Sequence, residues 1–338
     1  MIAYSQRNSV IVTAAVFPFR ICAALCVLGL SVSANAKAIF TTFDAPGSTD
    51  TEPQSINDTG SITGYFFESN AAHGFVRASD GTITAFDPSG STNTFAFSIN
   101  STGTITGEYD DSSNNSHGFV RTADGTITTF DPSGSVDTDP RSINGTGVIT
   151  GYYTTIGFHQ FHAFVHASNG TITTFDPSGS TNTFASGINS TGVITGEYED
   201  SNGHSHGFVR AADGTITEFD PSGSINTSTY SINDAGSITG DYNDGSHSHG
   251  FVRAADGTIT TFDPSGSSAT SALGINDNGR VTGSYLPGSH GFVRMSNGTI
   301  KSFRVGRSTS SDSINSTNVI TEEYEDSNRV VHGFLRSP

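Results

Sequence analysis

Short runs of alternating apolar and polar residues, separated by turn residues, repeat along most of the chain. Within residues 93–131 these runs are "TFAFSIN", "TITGEY", "HGFVR" and "TITTFD", and the segments between them are "STG", "DDSSNNS" and "TADG". Runs rich in Thr, Ile, Val, Phe and Tyr favour β-strands, and Asn/Asp-x-x-Gly turns favour hairpins. The pattern predicts four short strands, named a, b, c and d in chain order. Helical spacing of apolar residues is absent after residue 36.

The four-strand unit recurs seven times with a spacing of 41–45 residues. A His-Gly/Ala-Phe triplet begins at His73, His117, His162, His206, His249, His290 and His332. An Ile-Asn pair begins at Ile56, Ile99, Ile143, Ile188, Ile232, Ile275 and Ile314. A Phe-Asp pair begins at Phe43, Phe86, Phe130, Phe175, Phe219 and Phe262, whereas Phe303 is followed by Arg304. Four strands in such a period are typical of one blade of a β-propeller.

The two ends of the repeat region complement each other. The segment "AIFTTFD" at residues 38–44 is a lone strand d, and the chain closes with "HGFLRSP", a strand c that lacks its d. Pairing these two segments completes the seventh unit and removes two open sheet edges. A linear solenoid would instead need dissimilar capping repeats. We therefore predict an all-β fold over residues 37–338, a seven-bladed β-propeller of four-stranded blades closed by its N-terminal strand.

The hairpin of strands c and d places the recurrent His near the recurrent Asp. A four-residue turn in the first unit sets Arg77 opposite Thr82 and His73 opposite Phe86, so that His73 lies close to Asp87. A hydrogen bond between the two side chains would fix the end of each blade. An acid–base pair is the alternative, because both groups transfer protons. Seven equivalent catalytic pairs would be unusual, so we favour the structural interpretation.

Residues 1–36 differ from the rest of the chain. Arg7 and Arg20 precede an apolar run, and Ala34-Asn35-Ala36 forms an A-x-A site. This layout predicts a secretory signal peptide cleaved after Ala36, and the apolar run is short for a membrane anchor, which needs about 20 residues. Both cysteines of the chain fall in this segment. The mature protein is expected to be extracellular or periplasmic, to lack disulfides, and to have no stable membrane insertion.

The chain is strongly acidic, with 15 basic and 32 acidic residues and a net charge of −17. Removing residues 1–36 takes away two basic residues and no acidic ones, which leaves −19. Such a charge disfavours binding to nucleic acid or anionic membranes unless a cation bridges the two. It favours solubility, cations and basic surfaces.

The repeated segments also resemble a known family. The triplet His-Ala-Phe at residues 162–164, its His-Gly-Phe counterparts and the pattern "SINxTGxITGxY" are similar to the HAF-repeat family of bacterial extracellular proteins. The resemblance covers nearly all of residues 38–338. It implies a secreted protein and implies no particular activity.

Departures from the repeat point to one face of the ring. The a–b and c–d turns are short and alike, whereas the b–c and d–a loops differ between units. The b–c loop of the third unit, "YYTTIGFHQFHAFVH", is long, aromatic and rich in His. Variable loops on a rigid scaffold often carry function, so Tyr153, Phe158, His159 and Phe161 are candidate ligand contacts. The tyrosines after Thr-Gly in strand b suit packing between blades or stacking on a sugar.

Two neighbouring b–c loops are candidates for binding Ca²⁺ or Zn²⁺. Asp200 and His204 lie in the fourth unit, and Asp244 and His247 lie in the fifth. Carboxylate and imidazole are competent ligands, but the spacing matches no known metal motif. Solvated polar loops are the simpler interpretation. No other cofactor is expected.

No catalytic signature interrupts the repeats. The chain lacks a G-x-S-x-G elbow, an H-E-x-x-H motif, a P-loop and a G-x-G-x-x-G after a strand. We therefore predict a secreted, non-enzymatic binding module whose acidic b–c/d–a face contacts a carbohydrate, a surface polymer or a basic protein patch. A hydrolase or lyase with its site at the mouth of the central channel is the alternative. A structural envelope component is a third.

Overall fold

The computed structural model describes residues 38–155 and 160–338, apart from the side chains of residues 311, 312 and 322. The described residues form the strands β1 (Ile39–Phe43), β2 (Asp50–Ile56), β3 (Ile62–Glu68), β4 (Ala71–Arg77), β5 (Ile83–Phe86), β6 (Asn93–Ile99), β7 (Ile105–Asp110), β8 (Ser116–Arg121), β9 (Ile127–Phe130), β10 (Ser135–Ile143), β11 (Ile149–Thr155), β12 (Phe161–His166), β13 (Ile172–Phe175), β14 (Asn182–Ile188), β15 (Ile194–Glu199), β16 (Ser205–Arg210), β17 (Ile216–Phe219), β18 (Asn226–Ile232), β19 (Ile238–Asn243), β20 (Ser248–Arg253), β21 (Ile259–Phe262), β22 (Ala269–Ile275), β23 (Val281–Leu286), β24 (His290–Arg294), β25 (Ile300–Phe303), β26 (Ser308–Ile314), β27 (Ile320–Glu325) and β28 (Val331–Ser337).

These strands form a seven-bladed β-propeller, as the repeat predicts. β2–β5 make blade 1, and each later group of four makes the next blade, up to β22–β25 in blade 6. β26, β27 and β28 make blade 7 together with β1, which pairs antiparallel with β28 from Ile39 opposite Ser337 to Phe43 opposite Gly333. The N-terminal strand therefore closes the ring. The part of the chain that the structure describes contains no helix long and apolar enough to cross a membrane.

The register of the c–d hairpins differs by one residue from the predicted one. Val76 lies opposite Thr84 and Arg77 opposite Ile83, because the turn is shorter than expected. The backbone N–H of Ala78 donates to the carbonyl of Thr82, and Gly81 adopts a φ of +95°. This is a three-residue loop in which a glycine supplies the positive φ, one of the common hairpin connections.

Each blade buries the Phe of its His-Gly/Ala-Phe triplet against the preceding blade. The seven rings are fully buried: Phe75, Phe119, Phe164, Phe208, Phe251, Phe292 and Phe334. Burying one such side chain contributes roughly 1.5–3 kcal/mol. A Cβ at Gly74 would lie 2.8 Å from the Phe86 ring, so the glycine leaves room for the Phe of strand d. The repeated triplet therefore serves the packing of the ring.

A second set of contacts joins neighbouring blades at the other end of strand c. Arg77 lies 4.9 Å from the ring centre of Phe43, which belongs to the preceding blade. The same pair recurs as Arg121–Phe86, Arg210–Phe175, Arg253–Phe219, Arg294–Phe262 and Arg336–Phe303, at 4.7–4.9 Å. In blade 3, His166 replaces the arginine and stacks on Phe130 at 4.2 Å. These contacts explain why Arg and Phe recur at these positions.

The Ile-Asn pairs build a closed ring of hydrogen bonds around the central channel. Nδ2 of Asn57 donates to the carbonyl of Asn100 at 2.9 Å, and Asn315 closes the circle on the carbonyl of Asn57 at 3.1 Å. The intermediate links run through Asn100, Asn144, Asn189, Asn233 and Asn276 at 2.8–3.2 Å. Oδ1 of Asn57 also accepts from the backbone of Thr59 and Ser61, which fixes the a–b turn.

Candidate functional site

The mouth of the channel on the a–b face is nearly uniform around the ring. It is a cavity of about 330 Å³ lined by the seven Ile-Asn pairs and the residue after each. Three of those following residues are acidic, and each accepts a hydrogen bond from the backbone of the neighbouring blade. The carboxylates of Asp58, Asp234 and Asp277 lie 2.8–2.9 Å from the N–H groups of Ser316, Ser190 and Asp234. The polar groups named here are used in hydrogen bonds between neighbouring blades.

Deeper in the channel, the side chains that line it differ from blade to blade. Each strand a has a β-bulge directly before the Ser/Gly-Ile-Asn segment. The bulged residues are Gln54, Phe97, Arg141, Ser186, Tyr230, Leu273 and Asp312, and the side chains of the first six line a cavity of about 170 Å³ in the channel. Bulges re-aim side chains and are common near functional sites. The type of side chain at the bulge differs from blade to blade, whereas every blade contributes an asparagine to the Asn ring.

Arg141 is the centre of a partly buried polar cluster in blades 2 and 3, with a side chain that is 37% exposed beside an Asp139 side chain that is 15% exposed. Its Nη2 donates to Oδ2 of Asp139 at 2.7 Å and to the hydroxyl of Tyr152. The guanidinium also lies 4.7 Å from the ring centre of Phe97 and 5.2 Å from that of Tyr152. Burial alone would lower the pKa of Arg141, but the Asp139 carboxylate raises it above its ordinary value. Arg141 is therefore a fixed positive charge held between two aromatic rings.

Glu108 of blade 2 lies beside this cluster. Burial, followed by the nearby charge of Asp139, raises the pKa of Glu108 to about 8, and Arg141 opposes the shift. Asp110 and Asp137 add to the increase. A carboxyl group with this pKa exchanges a proton near neutral pH, so the cluster can both donate and accept hydrogen bonds there.

A second polar group, Glu197, Tyr230 and Asp241, continues along the wall of the channel in blades 4 and 5; Tyr230 is 36% exposed and the two acids are partly buried. Burial raises the pKa of Glu197 and of Tyr230 above their ordinary values. Burial also raises the pKa of Asp241 to about 6, against the opposing effect of the Tyr230 and Ser271 hydroxyls. A cavity of about 250 Å³ lies between the two groups and is lined by Arg141, Tyr152, Glu197 and Tyr230, among others.

Blades 2 and 3 are separated by a cleft at the b–c and d–a ends of their strands. This blade 2–3 cleft has a volume of about 290 Å³ and is lined by Glu108, Ser116, Asp137, Asp139, Tyr152, Tyr153, Thr154 and Phe161. Its walls combine three acidic side chains with three aromatic ones. Asp137 is held in place by the backbone N–H of Ser116 and the hydroxyl of Thr154, at 3.2 and 3.1 Å.

The structure places two of the four predicted ligand contacts in this cleft. Phe161 packs against Phe184 of the next blade with ring centres 4.9 Å apart and remains partly exposed. Tyr153 is only 8% exposed and stacks on His162, so its ring serves mainly the packing of blade 3. Phe158 and His159 lie outside the described residues. The cleft itself was not predicted from the sequence.

The four metal candidates are engaged in their own loops. Oδ1 of Asp200 accepts from the backbone N–H groups of Asn202 and His204, and these contacts lower the pKa of Asp200 to about 2. Oδ1 of Asp244 accepts in the same way from Ser246 and His247. Within residues 38–155 and 160–338, no group of three or more His, Cys, Asp or Glu side chains could hold a metal ion. Metal binding by these loops stays a prediction.

The predicted hydrogen bond between the recurrent His and Asp is present. Nδ1 of the histidine lies 2.7–2.8 Å from a carboxylate oxygen in His73–Asp87, His117–Asp131, His162–Asp176, His206–Asp220, His249–Asp263 and His332–Asp44. Three of these acids also accept from a buried Thr of the next blade, as in Thr227 to Asp220 at 2.6 Å. The pair therefore joins strands c and d and links blade to blade.

The strand b tyrosines, expected to pack between blades or stack on a sugar, occupy two different positions of the strand. Tyr65 and Tyr152 directly follow Gly and contact Phe95 and Phe184 of the next blade, with ring centres 5.1 Å apart. The other five lie one residue later and face the opposite side of the strand. That position stacks on the recurrent His at 5.1–5.5 Å, through Phe66, Tyr109, Tyr153, Tyr198, Tyr242, Tyr285 and Tyr324.

Comparison with known proteins shows the fold. No protein-family model matches the chain, and no curated protein matches it in sequence. Among solved structures, virginiamycin B lyase from Staphylococcus aureus has a TM-score of 0.61 at 14% identity, over 88% of this chain and 99% of that one. A catalytically inactive variant of a Staphylococcus aureus virginiamycin B lyase with quinupristin has a TM-score of 0.60 at 15% identity, over the same shares.

Other similar structures belong to peptide-cleaving and related enzymes. The β-propeller domain of the trilobed protease from Pyrococcus furiosus, described as having an open velcro topology, has a TM-score of 0.56 at 11% identity, over 86% of this chain and 94% of that one. Puromycin hydrolase has a TM-score of 0.57 at 10% identity, and the match covers 84% of this chain and 52% of the enzyme. Lyases and hydrolases thus share this propeller fold, which hosts unrelated functions.

Proposed function

We propose that the protein is a secreted, non-enzymatic binding module that holds a carbohydrate in the blade 2–3 cleft, on its b–c/d–a face. The observation that carries this proposal is the position of the residues that break the repeat. Glu108, Asp139, Arg141 and Tyr152 are polar, partly buried and gathered in two adjacent blades. The equivalent residues of blade 6 are the uncharged Ser271, Ser284 and Leu273. Polar groups taken out of water stabilise a fold poorly, so ligand binding gives a reason to keep them.

The chemistry of the cleft fits a sugar. Carboxylates accept hydrogen bonds from hydroxyl groups, and the Glu108 carboxyl, whose pKa is raised to about 8, donates to hydroxyl and ring oxygens when it is protonated. The faces of Tyr152 and Phe161 offer apolar surface on which the C–H side of a sugar ring packs. Ligand pockets usually have volumes of about 300–1,000 Å³, so the cleft of about 290 Å³ suits one or two sugar units at the end of a polymer rather than a long chain.

Secretion forms part of the proposal. Residues 1–36 have the layout of a cleaved signal, and the repeats resemble those of HAF-repeat extracellular proteins. N-terminal sequencing of the protein recovered from the culture medium or periplasm should begin at Lys37. A cytoplasmic protein with an intact Met1 end would contradict it.

A glycan array probed with residues 37–338, with and without a divalent cation, tests the binding proposal. The best glycan is then titrated against two variants. Phe161→Ser installs the residue that blades 2, 4 and 5 carry before their His, and should weaken binding at least tenfold with little change in melting temperature. Val331→Ser makes a similar change in blade 7 and should bind like the wild type. Equal binding by both variants would refute the cleft as the site.

If the protein retains basic peptides and no glycans, the ligand of the cleft is a basic protein and not a carbohydrate. The cleft would then remain the proposed site. Absence of any retained glycan or peptide would refute the binding proposal as a whole.

A lyase or hydrolase acting at the channel is the second candidate. It is favoured by Glu108 and Asp241, whose pKa values are raised to about 8 and about 6 and so suit proton transfer near neutral pH. The similarity in fold to known lyases and hydrolases is compatible with it. Turnover of an array glycan that Glu108→Gln abolishes, while the variant still binds the glycan, would establish this candidate in place of a binding module.

A further inference from the structure

Blade 6 departs from the other blades at the pair that joins strands c and d. In six blades, all within the described residues, an Asp carboxylate follows strand d and lies 2.7–2.8 Å from Nδ1 of the histidine. These carboxylates are between 35% and 50% exposed, so the position is open to solvent on one side. In blade 6 the corresponding residue after Phe303 is Arg304.

The histidine of blade 6 keeps its position but lacks its acid. The His290 ring lies 5.2 Å from the Tyr285 ring, as the same pair does in the other blades. Its Nδ1 is shielded from solvent and has no hydrogen-bond partner among the described residues. A shielded polar atom without a partner destabilises a fold, and such groups in folded proteins usually point to an absent partner.

Arg304 stands close to this nitrogen. A Cβ built on Gly288 would lie 3.4 Å from Cε1 of His290 and 3.6 Å from Nη1 of Arg304, so the two side chains flank the same backbone position. Arg304 is exposed, and its Nη2 donates to the carbonyl of Arg307. The unpartnered Nδ1 of His290 and the guanidinium of Arg304 thus both lie beside Gly288, and Arg304 takes the sequence position of the acid of the other blades.

We propose that blade 6 binds a carboxylate from solution in place of the missing Asp, with one oxygen on Nδ1 of His290 and the other on the guanidinium of Arg304. A planar guanidinium matches a carboxylate in geometry and charge. The net charge of −17 repels a polyanion, so the ligand is a small monocarboxylic acid. This site is separate from the blade 2–3 cleft and does not depend on the carbohydrate proposal.

Titration with sodium acetate tests the site, with sodium chloride and sodium phosphate at equal ionic strength as references. The side-chain nitrogen signals of the histidines are followed by NMR at constant pH. Acetate should shift the His290 signals saturably and leave the other six repeat histidines unchanged, and chloride should not. No acetate-specific shift, or equal shifts in all seven histidines, would overturn the proposal. A stronger response to phosphate would overturn the choice of a carboxylate.

Two variants with the same charge change separate the site from general attraction. Arg304→Asp restores the acid of the other blades, so it should abolish the acetate response and bring the His290 signals into the range of its six counterparts. Lys301→Asp removes an exposed cation from the same strand and should keep the acetate response. Loss of the response in both variants would show that local charge alone attracts acetate, and would refute the site.

A reciprocal variant covers the case in which Arg304→Asp fails to fold. Asp263→Ala empties the equivalent place beside His249, where the carboxylate lies 2.7 Å away. Acetate should then raise the melting temperature of this variant more than an equal concentration of chloride does. If acetate gives no extra stabilisation, an external carboxylate does not bind at this position.

Discussion

Asn315 donates from its side-chain Nδ2 to the backbone carbonyl of Asn57 at 3.1 Å, although the two residues are 258 positions apart in the chain. This bond completes the circle of seven asparagines around the channel. Together with the pairing of β1 and β28, it joins the two ends of the repeat region. The most strictly repeated residues of the chain thus hold the ring closed, whereas the residues that differ between blades include those of the cleft in which we propose that a ligand binds.

Loss of one member of the Asn ring should destabilise the whole propeller. In Asn233→Ala, the carbonyl of Asn276 loses one of its two donors and keeps the N–H of Gly279, whereas the N–H of Ser237 in the a–b turn loses its side-chain acceptor. An unsatisfied buried group costs about 1–3 kcal/mol, which we expect as the loss in unfolding free energy measured by urea denaturation. Ser113→Ala, in an exposed loop, should change it by less than about 0.5 kcal/mol. Equal effects of the two substitutions would contradict a structural role for the ring.

The His–Asp pairs should affect stability and leave ligand binding intact. Asp220 accepts from His206 and from Thr227 of the next blade, so Asp220→Ala removes two bonds at once. Hydrogen bonds to a charged group contribute about 1.5–3 kcal/mol, and we expect a loss of that order in denaturation experiments. Asp87→Ala removes only the bond to His73 in blade 1 and should cost less. If either variant lost ligand binding or turnover while keeping its stability, the pair would be part of the functional site instead.

Arg141 and Asp139 should be strongly coupled. Arg141→Ser leaves the Asp139 carboxylate, which is 15% exposed, without its partner. Because the Arg141 side chain is 37% exposed, solvent screens the pair, and we expect a loss below the about 3–5 kcal/mol of a fully buried pair. The double variant with Asp139→Ser removes the unpaired charge as well and should recover most of that loss. A double-mutant cycle from urea unfolding measures the coupling. Additive effects of the two substitutions would show that they do not form a pair in solution.

Glu108 should make stability fall as the pH rises. Its pKa is raised from 4.5 to about 8, so the folded protein binds more protons than the unfolded chain between those values. Protonated Glu108 therefore stabilises the fold at low pH, and this contribution is lost as the pH rises through about 8, by at most about 1.4 kcal/mol per pH unit.

The comparison of Glu108→Gln with the wild type isolates this contribution. The variant should lose less stability between pH 5 and 8, as measured by urea unfolding, while Glu68→Gln at an exposed position should follow the wild type. Parallel curves for the wild type and Glu108→Gln would mean that Glu108 is not shielded from solvent.

The repeat made most of the fold predictable. The 41–45-residue period, the four strand runs and the lone strand d at residues 38–44 were sufficient for seven blades and for closure at β1. The His–Asp bond was also predictable, although the hairpin register was wrong by one residue because the Ala78–Thr82 turn contains three residues instead of four.

The polar cluster around Arg141 could not be read from the pattern alone. The bulge at Arg141 interrupts the alternation of strand a, and the contact with Tyr152 joins residues 11 positions apart on two strands, so the pattern of strand a does not show the cluster. Aligning the seven units would have shown the signal, because the residue before Ser/Gly-Ile-Asn differs in every blade. The same alignment would have separated Tyr65 and Tyr152 from the other tyrosines. The predicted contacts Phe158 and His159 and the signal peptide lie outside the described residues.

The central claim is that the repeated residues form the scaffold and that the residues that differ between blades form the binding site. Hydrogen–deuterium exchange of residues 37–338, with and without the best array glycan, tests this claim most directly. The account predicts protection at the strand ends that line the blade 2–3 cleft, around Glu108, Asp137 and Phe161, and no change at the Asn turns. Protection spread evenly over the seven blades, or confined to the a–b turns, would contradict it.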